Sequence, residues 1–203
     1  MSPYIIGLTG GIGMGKSTAS HYLSQAHSLP VLDADLLARE AVQPGSPALE
    51  AIAARYSDRY GNGVLNPDGS LDRTALARII FQDEGDRRWV EEQIHPYVRD
   101  RMQQETQMLA GTVVWSVPLL FEAGIATAVD QVWVVYCTAQ QQRERLLARG
   151  LSAEQIEARI VAQWPIEQKL AQAHVTLDNT STLRTLHQQI DDAVEALQHR
   201  PQR

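Results

Sequence analysis

Between Leu8 and Thr18 the chain reads L-T-G-G-I-G-M-G-K-S-T, and Gly10 to Ser17 fit G-x-x-x-x-G-K-[ST]. Glycines at 10, 11, 13 and 15 let the backbone turn successive N–H groups inward on an anion. Lys16 supplies a mobile positive charge for β- and γ-phosphates, and Ser17 a hydroxyl for Mg²⁺. The motif needs a strand before it and a helix after it. Tyr4–Leu8 is an apolar run, and Ser17–Gln25 is compatible with a helix whose positive dipole end faces the same spot. That context sets a phosphate-binding P-loop above a glycine-rich turn with no ligand. The nucleotide-binding set is therefore Gly11, Ile12, Gly13, Met14, Gly15, Lys16, Ser17 and Thr18, with Ser17 as the metal ligand.

The elements around the loop read as alternating strands and helices. Apolar or β-branched runs occur at Tyr4–Leu8, Pro30–Leu32, Thr112–Val117, Gln131–Tyr136 and His174–Leu177. V-V-W-S-V and V-W-V-V-Y are nearly continuous in apolar residues, as in strands buried on both faces of a parallel sheet. Helical spacing appears at Leu36–Val42, Gln140–Ala148 and Leu183–Leu197. The predicted fold class is α/β, a mostly parallel sheet flanked by helices. Two stretches interrupt the alternation. Residues 61–111 open with the turn-rich G-N-G-V-L-N-P-D-G and continue with helical patterns around Leu76–Phe81 and Trp89–Met108. Asp72 is placed to cap the first of these helices. Residues 139–172 are rich in Gln, Arg and Glu, which suits either a solvated helical pair or a lid over the nucleotide.

Composition narrows the class. The 203 residues suffice for one well-filled core, and 44 % apolar with 21 % charged residues is ordinary for a globular protein. The net charge of −6 argues against a nucleic-acid binder, and attraction for a polyanion must be local to the loop and a few arginines. The single cysteine, Cys137, lies in an apolar run and reads as a small core residue. No run approaches 18 apolar residues and no leader pattern opens the chain, so a cytoplasmic enzyme is the expectation.

Asp33 follows the run Pro30–Leu32, at the carboxyl end of a strand, where open α/β sheets place ligands. A carboxylate there can take the proton of an attacking hydroxyl. Asp33 or Asp35 equally suits the cap of the helix beginning near Leu36, and both roles can coexist. Glu122 ends another strand-like run and suits orienting an arginine, assisting a metal through water, or capping. Arg145 and Arg149 lie one turn apart on one helix face, solvated or aimed at a transferring phosphoryl group. Without an N-K-x-D signature the guanine-reading GTPases recede, and two helical interruptions suit a small-molecule kinase.

Taken together, these passages resemble the dephospho-CoA kinase family over nearly the whole length, from Ile6 to about Asn179. The likeness is carried by G-L-T-G-G-I-G-M-G-K-S-T (7–18), V-L-D-A-D-L-L-A-R-E (31–40), D-R-T-A-L-A-R-I-I-F (72–81), I-H-P-Y-V (94–98) and V-P-L-L-F-E (117–122). It continues in Gln142, Arg145, Leu146 and Arg149, and in R-I-V-A-Q (159–163). The resemblance implies ATP and Mg²⁺ as co-substrate and metal, and Asp33 as the base acting on the ribose 3′-hydroxyl of dephospho-CoA. It implies that 1–60, 112–138 and 173–203 form the nucleotide-binding core, that 61–111 is a helical acceptor-binding insertion and that 139–172 is a helical lid. Lys16, Asp33, Arg145 and Arg149 are then the catalytic set. Asp33, Arg73, Phe81, His95 and Glu122 are the acceptor-side set, although Pro96 also suits a helix start that would make His95 structural. Expected partners are the small molecules ATP and dephospho-CoA, with no nucleic acid and no membrane, in a monomer or weak homo-oligomer. Met14, Leu170, His174 and Thr180 depart from the family pattern and bear on contacts to the adenine.

Overall fold

A computed structural model describes residues 2–57 and 63–198. The boundary expected between residues 60 and 61 lies outside the described residues. Two compact units emerge, Met1–Leu32 with Leu109–Arg203, and Asp33–Met108.

The first unit is built on a five-stranded sheet in the order β2-β3-β1-β4-β5, whose edge strand β2 ends on the first residue of the second unit. Its strands are β1 (Tyr4–Gly10), β2 (Val31–Asp33), β3 (Thr112–Ser116), β4 (Gln131–Tyr136) and β5 (Val175–Asp178). The ladders β1–β3, β1–β4 and β4–β5 are parallel, with Leu8 opposite both Ser116 and Trp133. From β1 the chain departs toward β2 and β3 on one side and later returns to β4 on the other. That reversal places β1 where open sheets bind ligands. The helix α1 (Lys16–His27) follows the loop directly, and α9 (Leu183–Gln198) packs beside it. Ile6, Leu8, Leu23, Val114, Trp133, Leu177 and Ile190 form the core between sheet and helices, all fully buried. The Trp133 indole N–H is satisfied by Gln131 Oε1 at 3.0 Å, which lets a large ring with a polar tip sit inside.

The second unit is helical. It contains α2 (Ala34–Glu40), α3 (Pro47–Tyr56), α4 (Arg73–Gln82) and α5 (Glu84–Gln107) around Leu49, Ile52, Tyr56, Val64, Leu76, Ile79 and Val90. Ser46 caps α3 with Pro47 at its first turn, a signal of strand-free helix that the residue pattern carries but the periodicity reading passed over. Asp72 caps α4 by accepting from Thr74 and Ala75, as expected. The expected helix start at Pro96 is not found. One helix of 24 residues runs through it. Pro96 removes the partner of the Glu92 carbonyl, but Glu92 is exposed and water can take that bond. Arg55 pairs with buried Asp86 at 2.9 Å and lies 4.4 Å over the Trp89 ring. Tyr97 donates to Glu40, which ties α5 to α2.

The remaining helices of the first unit are α6 (Ala139–Ala148), α7 (Ala153–Val161) and α8 (Ile166–Ala171). Thr138 and Ser152 each start a helix through a reciprocal capping box with the glutamine three residues on. Cys137 is buried as expected, and burial pushes its thiol up, with Arg145 opposing.

Leu23 tests the seating of α1 on the sheet, because its side chain is fully buried in that core. Leu23→Ala should destabilise the protein by about 2–5 kcal/mol, the cost of a core truncation. Chemical denaturation measures it, and a loss below about 1 kcal/mol would mean that the helix is not held there.

Candidate active site

The loop from Gly10 to Ser17 is shaped by side chains outside it. At Gly10 an added Cβ would stand 2.4 Å from the Val135 carbonyl oxygen, and at Gly15, with φ of 111°, 2.1 Å from Asn179 Nδ2. No larger residue fits either position. In a planar trans peptide the C=O of one residue and the N–H of the next point in opposite directions. Whatever grips a loop carbonyl therefore aims the following amide the other way. Gln142 Nε2 donates to the Ile12 carbonyl at 2.8 Å, which turns the Gly13 N–H away from α6. Asn179 Nδ2 and Arg145 Nη1 donate to the Met14 carbonyl at 2.9 and 3.4 Å, which does the same for the Gly15 N–H. The first turn of α1 then adds the positive end of the helix dipole at the same spot. This is an anion cradle with its carbonyls tied back.

Lys16 Nζ donates to Ser116 Oγ at 2.6 Å, across from the end of β3. Ser116 is fully buried, and a lone hydroxyl inside V-V-W-S-V was the signal for it. Arg145 donates to Met14 O and Asn179 O, so its guanidinium lies on the loop's outer side. Arg149, the C-cap of α6, is exposed. Glu122 accepts from the Trp164 N–H and pairs with Lys169 Nζ, both at 2.8 Å. The charged partner of Glu122 is thus a fully buried lysine from α8, in place of the arginine or helix cap that the sequence suits. Asn179, Gln163 and Lys169 are the residues that sequence reasoning missed. Each sits in a polar stretch where periodicity carries no sign of burial. His174 locks β5 to β4, accepting from the Val132 N–H at 3.0 Å while its own amide donates to the Val132 carbonyl. Asp178, next to Asn179, would be pushed up by burial, but bonds from Thr180 and Tyr136 hold it below the usual carboxylate range.

In the second unit Asp33 caps α2, its Oδ1 accepting from the Asp35 and Leu36 amides at 2.9 and 3.3 Å. Arg73 is exposed at the first turn of α4, and His95 is exposed on α5. Phe81 lies in α4 by its backbone, and its side chain is outside the described residues.

For Mg²⁺ the donor set decides the fit. No group of three or more His, Cys, Asp or Glu among the described residues is arranged to hold a metal. Ser17 offers a hard oxygen beside the cradle, and Mg²⁺ is commonly held by one or two protein oxygens together with substrate phosphates and water. The residues fit that mode.

A parallel sheet ending in this cradle, with helices on both faces, defines a P-loop kinase. Two similar solved structures agree. One from Thermus thermophilus superposes with a TM-score of 0.81 at 36 % identity, covering 97 % of this chain and 98 % of its own. Dephospho-CoA kinase from Campylobacter jejuni gives a TM-score of 0.70 at 25 % identity, covering 95 % and 96 %. The family model for dephospho-CoA kinase matches residues 4–185. The dephospho-CoA kinase of Trichormus variabilis is 47 % identical over 196 residues, 96 % of this chain and 98 % of that one. The chain belongs to the dephospho-CoA kinase family, and ATP is accordingly its co-substrate. No helix among the described residues is long and apolar enough to cross a membrane.

Asn179 has the stronger of the two grips on the Met14 carbonyl, and it is buried. Asn179→Ala should weaken ATP binding by roughly five- to a hundredfold, from about 1–3 kcal/mol for a lost buried hydrogen bond. Calorimetric titration with ATP measures this, and unchanged affinity would show that the loop holds its shape without Asn179.

Proposed function

We propose that this chain transfers the γ-phosphoryl group of ATP to the ribose 3′-hydroxyl of dephospho-CoA, giving coenzyme A and ADP. The observation that carries the reading is the cradle itself. Backbone amides, the α1 dipole and Lys16 converge on one anion-binding loop in a chain of this family. Asp33 accepts the proton of the 3′-hydroxyl as that oxygen attacks the γ-phosphorus. The β,γ-bridging P–O bond breaks, and ADP carries away the electron pair. Mg²⁺, held by Ser17 and the phosphates, supplies charge neutralisation on the β- and γ-oxygens when bound. Lys16 stabilises the same charge from the loop side.

Arg73 and His95, both exposed, are read as donors to the acceptor's phosphates, and Phe81 as an acceptor-side surface. The lid role stays with residues 139–172. Within them α6 is tied to the loop, and α7 carries exposed Val161 and Arg159 on its outer face. Arg149 then meets the phosphoryl group on closure, while Arg145 shapes the loop. The enzyme works as a monomer or weak homo-oligomer in the cytoplasm, on small molecules alone.

Turnover with ATP, Mg²⁺ and a panel of acceptors, dephospho-CoA and nucleoside monophosphates among them, tests the substrate. Phosphorylation of a monophosphate in preference to dephospho-CoA would overturn the proposal. Lys16→Ala should lower turnover at least 10²-fold with the fold intact, as for other lost charge stabilisers. Asp33→Asn keeps an oxygen to cap α2 and removes the base. It should retain ATP binding and lose transfer by about 10²–10⁴. A mutant that keeps more than roughly a tenth of kcat, above that range, would move the base elsewhere.

A further inference from the structure

Ile12 is the loop residue between two glycines, so nothing in its neighbours' own stereochemistry fixes its two peptide planes. Both of its polar groups are nevertheless held. The carbonyl accepts from Gln142 Nε2 at 2.8 Å, and the N–H donates to Gln163 Oε1 at 2.9 Å. Gln142 comes from α6. Gln163 comes from the short connection between α7 and α8, which on composition alone looks like solvated loop.

That connection is anchored from below. The next amide, Trp164 N–H, donates to Glu122 Oε1 at 2.8 Å. The same carboxylate oxygen receives Lys169 Nζ at 2.8 Å. Lys169 has no exposed surface, and its ammonium also donates to the Pro118 carbonyl at 3.3 Å. Thr9 Oγ1, from the strand that feeds the loop, donates to that carbonyl at 3.0 Å. The neighbouring Phe121 and Trp164 rings stack with centroids 5.6 Å apart. The polar chain thus leaves β1 at Thr9, passes through Pro118, Lys169, Glu122 and Trp164, and returns to the loop at Ile12 through Gln163. Glu122 Oε2 is buried with no hydrogen-bond partner among the described residues, so this carboxylate depends on Lys169 for its compensation. A buried lysine–glutamate pair is costly to assemble, and here its product is a fixed position for one backbone amide of the phosphate loop.

We propose that Gln163 is a positioning residue for the nucleotide, acting through the Ile12 amide and held in place by the buried Lys169–Glu122 pair. Gln142 and Gln163 bracket Ile12 from opposite ends, so the peptide planes on either side of it are set before a triphosphate is gripped. The preorganised loop binds ATP without first ordering its own backbone. The proposal rests on the ATP-binding half of the function above and is indifferent to the acceptor.

The test is ATP binding by calorimetry with Mg²⁺ and no acceptor, so that its result does not depend on which hydroxyl the enzyme phosphorylates. Gln163 is only partly buried, and Gln163→Ala should keep the thermal midpoint. It should weaken ATP by roughly tenfold, about the effect of one hydrogen bond. In turnover, KM for ATP should rise more than kcat falls, and KM for the acceptor should stay as in the wild type. A merely structural role would lower the active fraction and leave KM unmoved. Unchanged ATP affinity would overturn the proposal. So would tighter binding, which would mean that Gln163 competes with the nucleotide for the amide. Lys169→Met strands a buried carboxylate and risks misfolding, so the anchor is tested with Glu122→Gln, which keeps an acceptor for Trp164 N–H. Glu122→Gln should weaken ATP by a smaller factor, and the double variant should bind ATP no worse than Gln163→Ala alone. Fully additive losses would break the link between the ion pair and the loop.

Discussion

The rest of this structure depends on a constraint of the peptide bond. An anion cradle needs loop amides pointing inward, and planarity then forces the carbonyl of each such peptide outward, into protein. A buried carbonyl without a donor is unfavourable by about 1–3 kcal/mol, so a loop of this kind cannot stand alone on a strand end. Its stability has to come from donors placed around its outer side. Here those donors are Gln142, Arg145 and Asn179, on two different elements that meet behind the loop. The sheet order brings this about. With β4 and β5 to one side of β1, the residue after β5 and the helix after β4 both arrive beside the turn that leaves β1.

The same constraint explains why an arginine- and glutamine-rich segment is not simply solvated. α6 spends Gln142 and Arg145 on loop carbonyls and buries Leu146, whose side chain fills the space where a Cβ on Gly13 would stand 3.0 Å away. α7 is joined to α6 by the Arg143–Glu157 pair, exposed and closed at 2.7 Å. That interaction is worth little in water and is easily exchanged. The segment is therefore held to the loop at two places, by α6 at the loop carbonyls and by Gln163, just after α7, at the Ile12 amide, while the outer face of α7 between them is exposed.

How far this was legible follows from what each signal reports. Apolar runs report burial, so all five strands were visible, and β4 was found at its observed ends, Gln131–Tyr136. The glycine-rich loop was visible because its chemistry demands residue types at fixed spacing. Periodicity missed α3, whose Ser46–Pro47 start signals a cap rather than a stripe. It also read Pro96 as a beginning, when an exposed carbonyl one turn back lets α5 continue. Asn179, Gln163 and Lys169 escaped for a different reason. Polar side chains that serve buried backbone groups look, residue by residue, like surface. Only the tertiary arrangement shows that a lysine in I-E-Q-K-L has no exposed area.

Asp33 shows how a helix cap bears on a second role for the same side chain. Cap and base are both roles that this short acidic passage suits, and the cap is the one observed. The observed cap uses a single oxygen, Oδ1, for both amides of α2. Two amides on one carboxylate oxygen fix the side-chain rotation at the first residue of the helical unit. A carboxylate held in one orientation by its cap loses no further rotamer freedom when it acts on a substrate. Asparagine would cap equally well and could not accept the proton in the same way. The bonds that begin the helix are also the bonds that aim the carboxylate, which is a physical reason for one residue to suit both the helix start and the proposed proton acceptor.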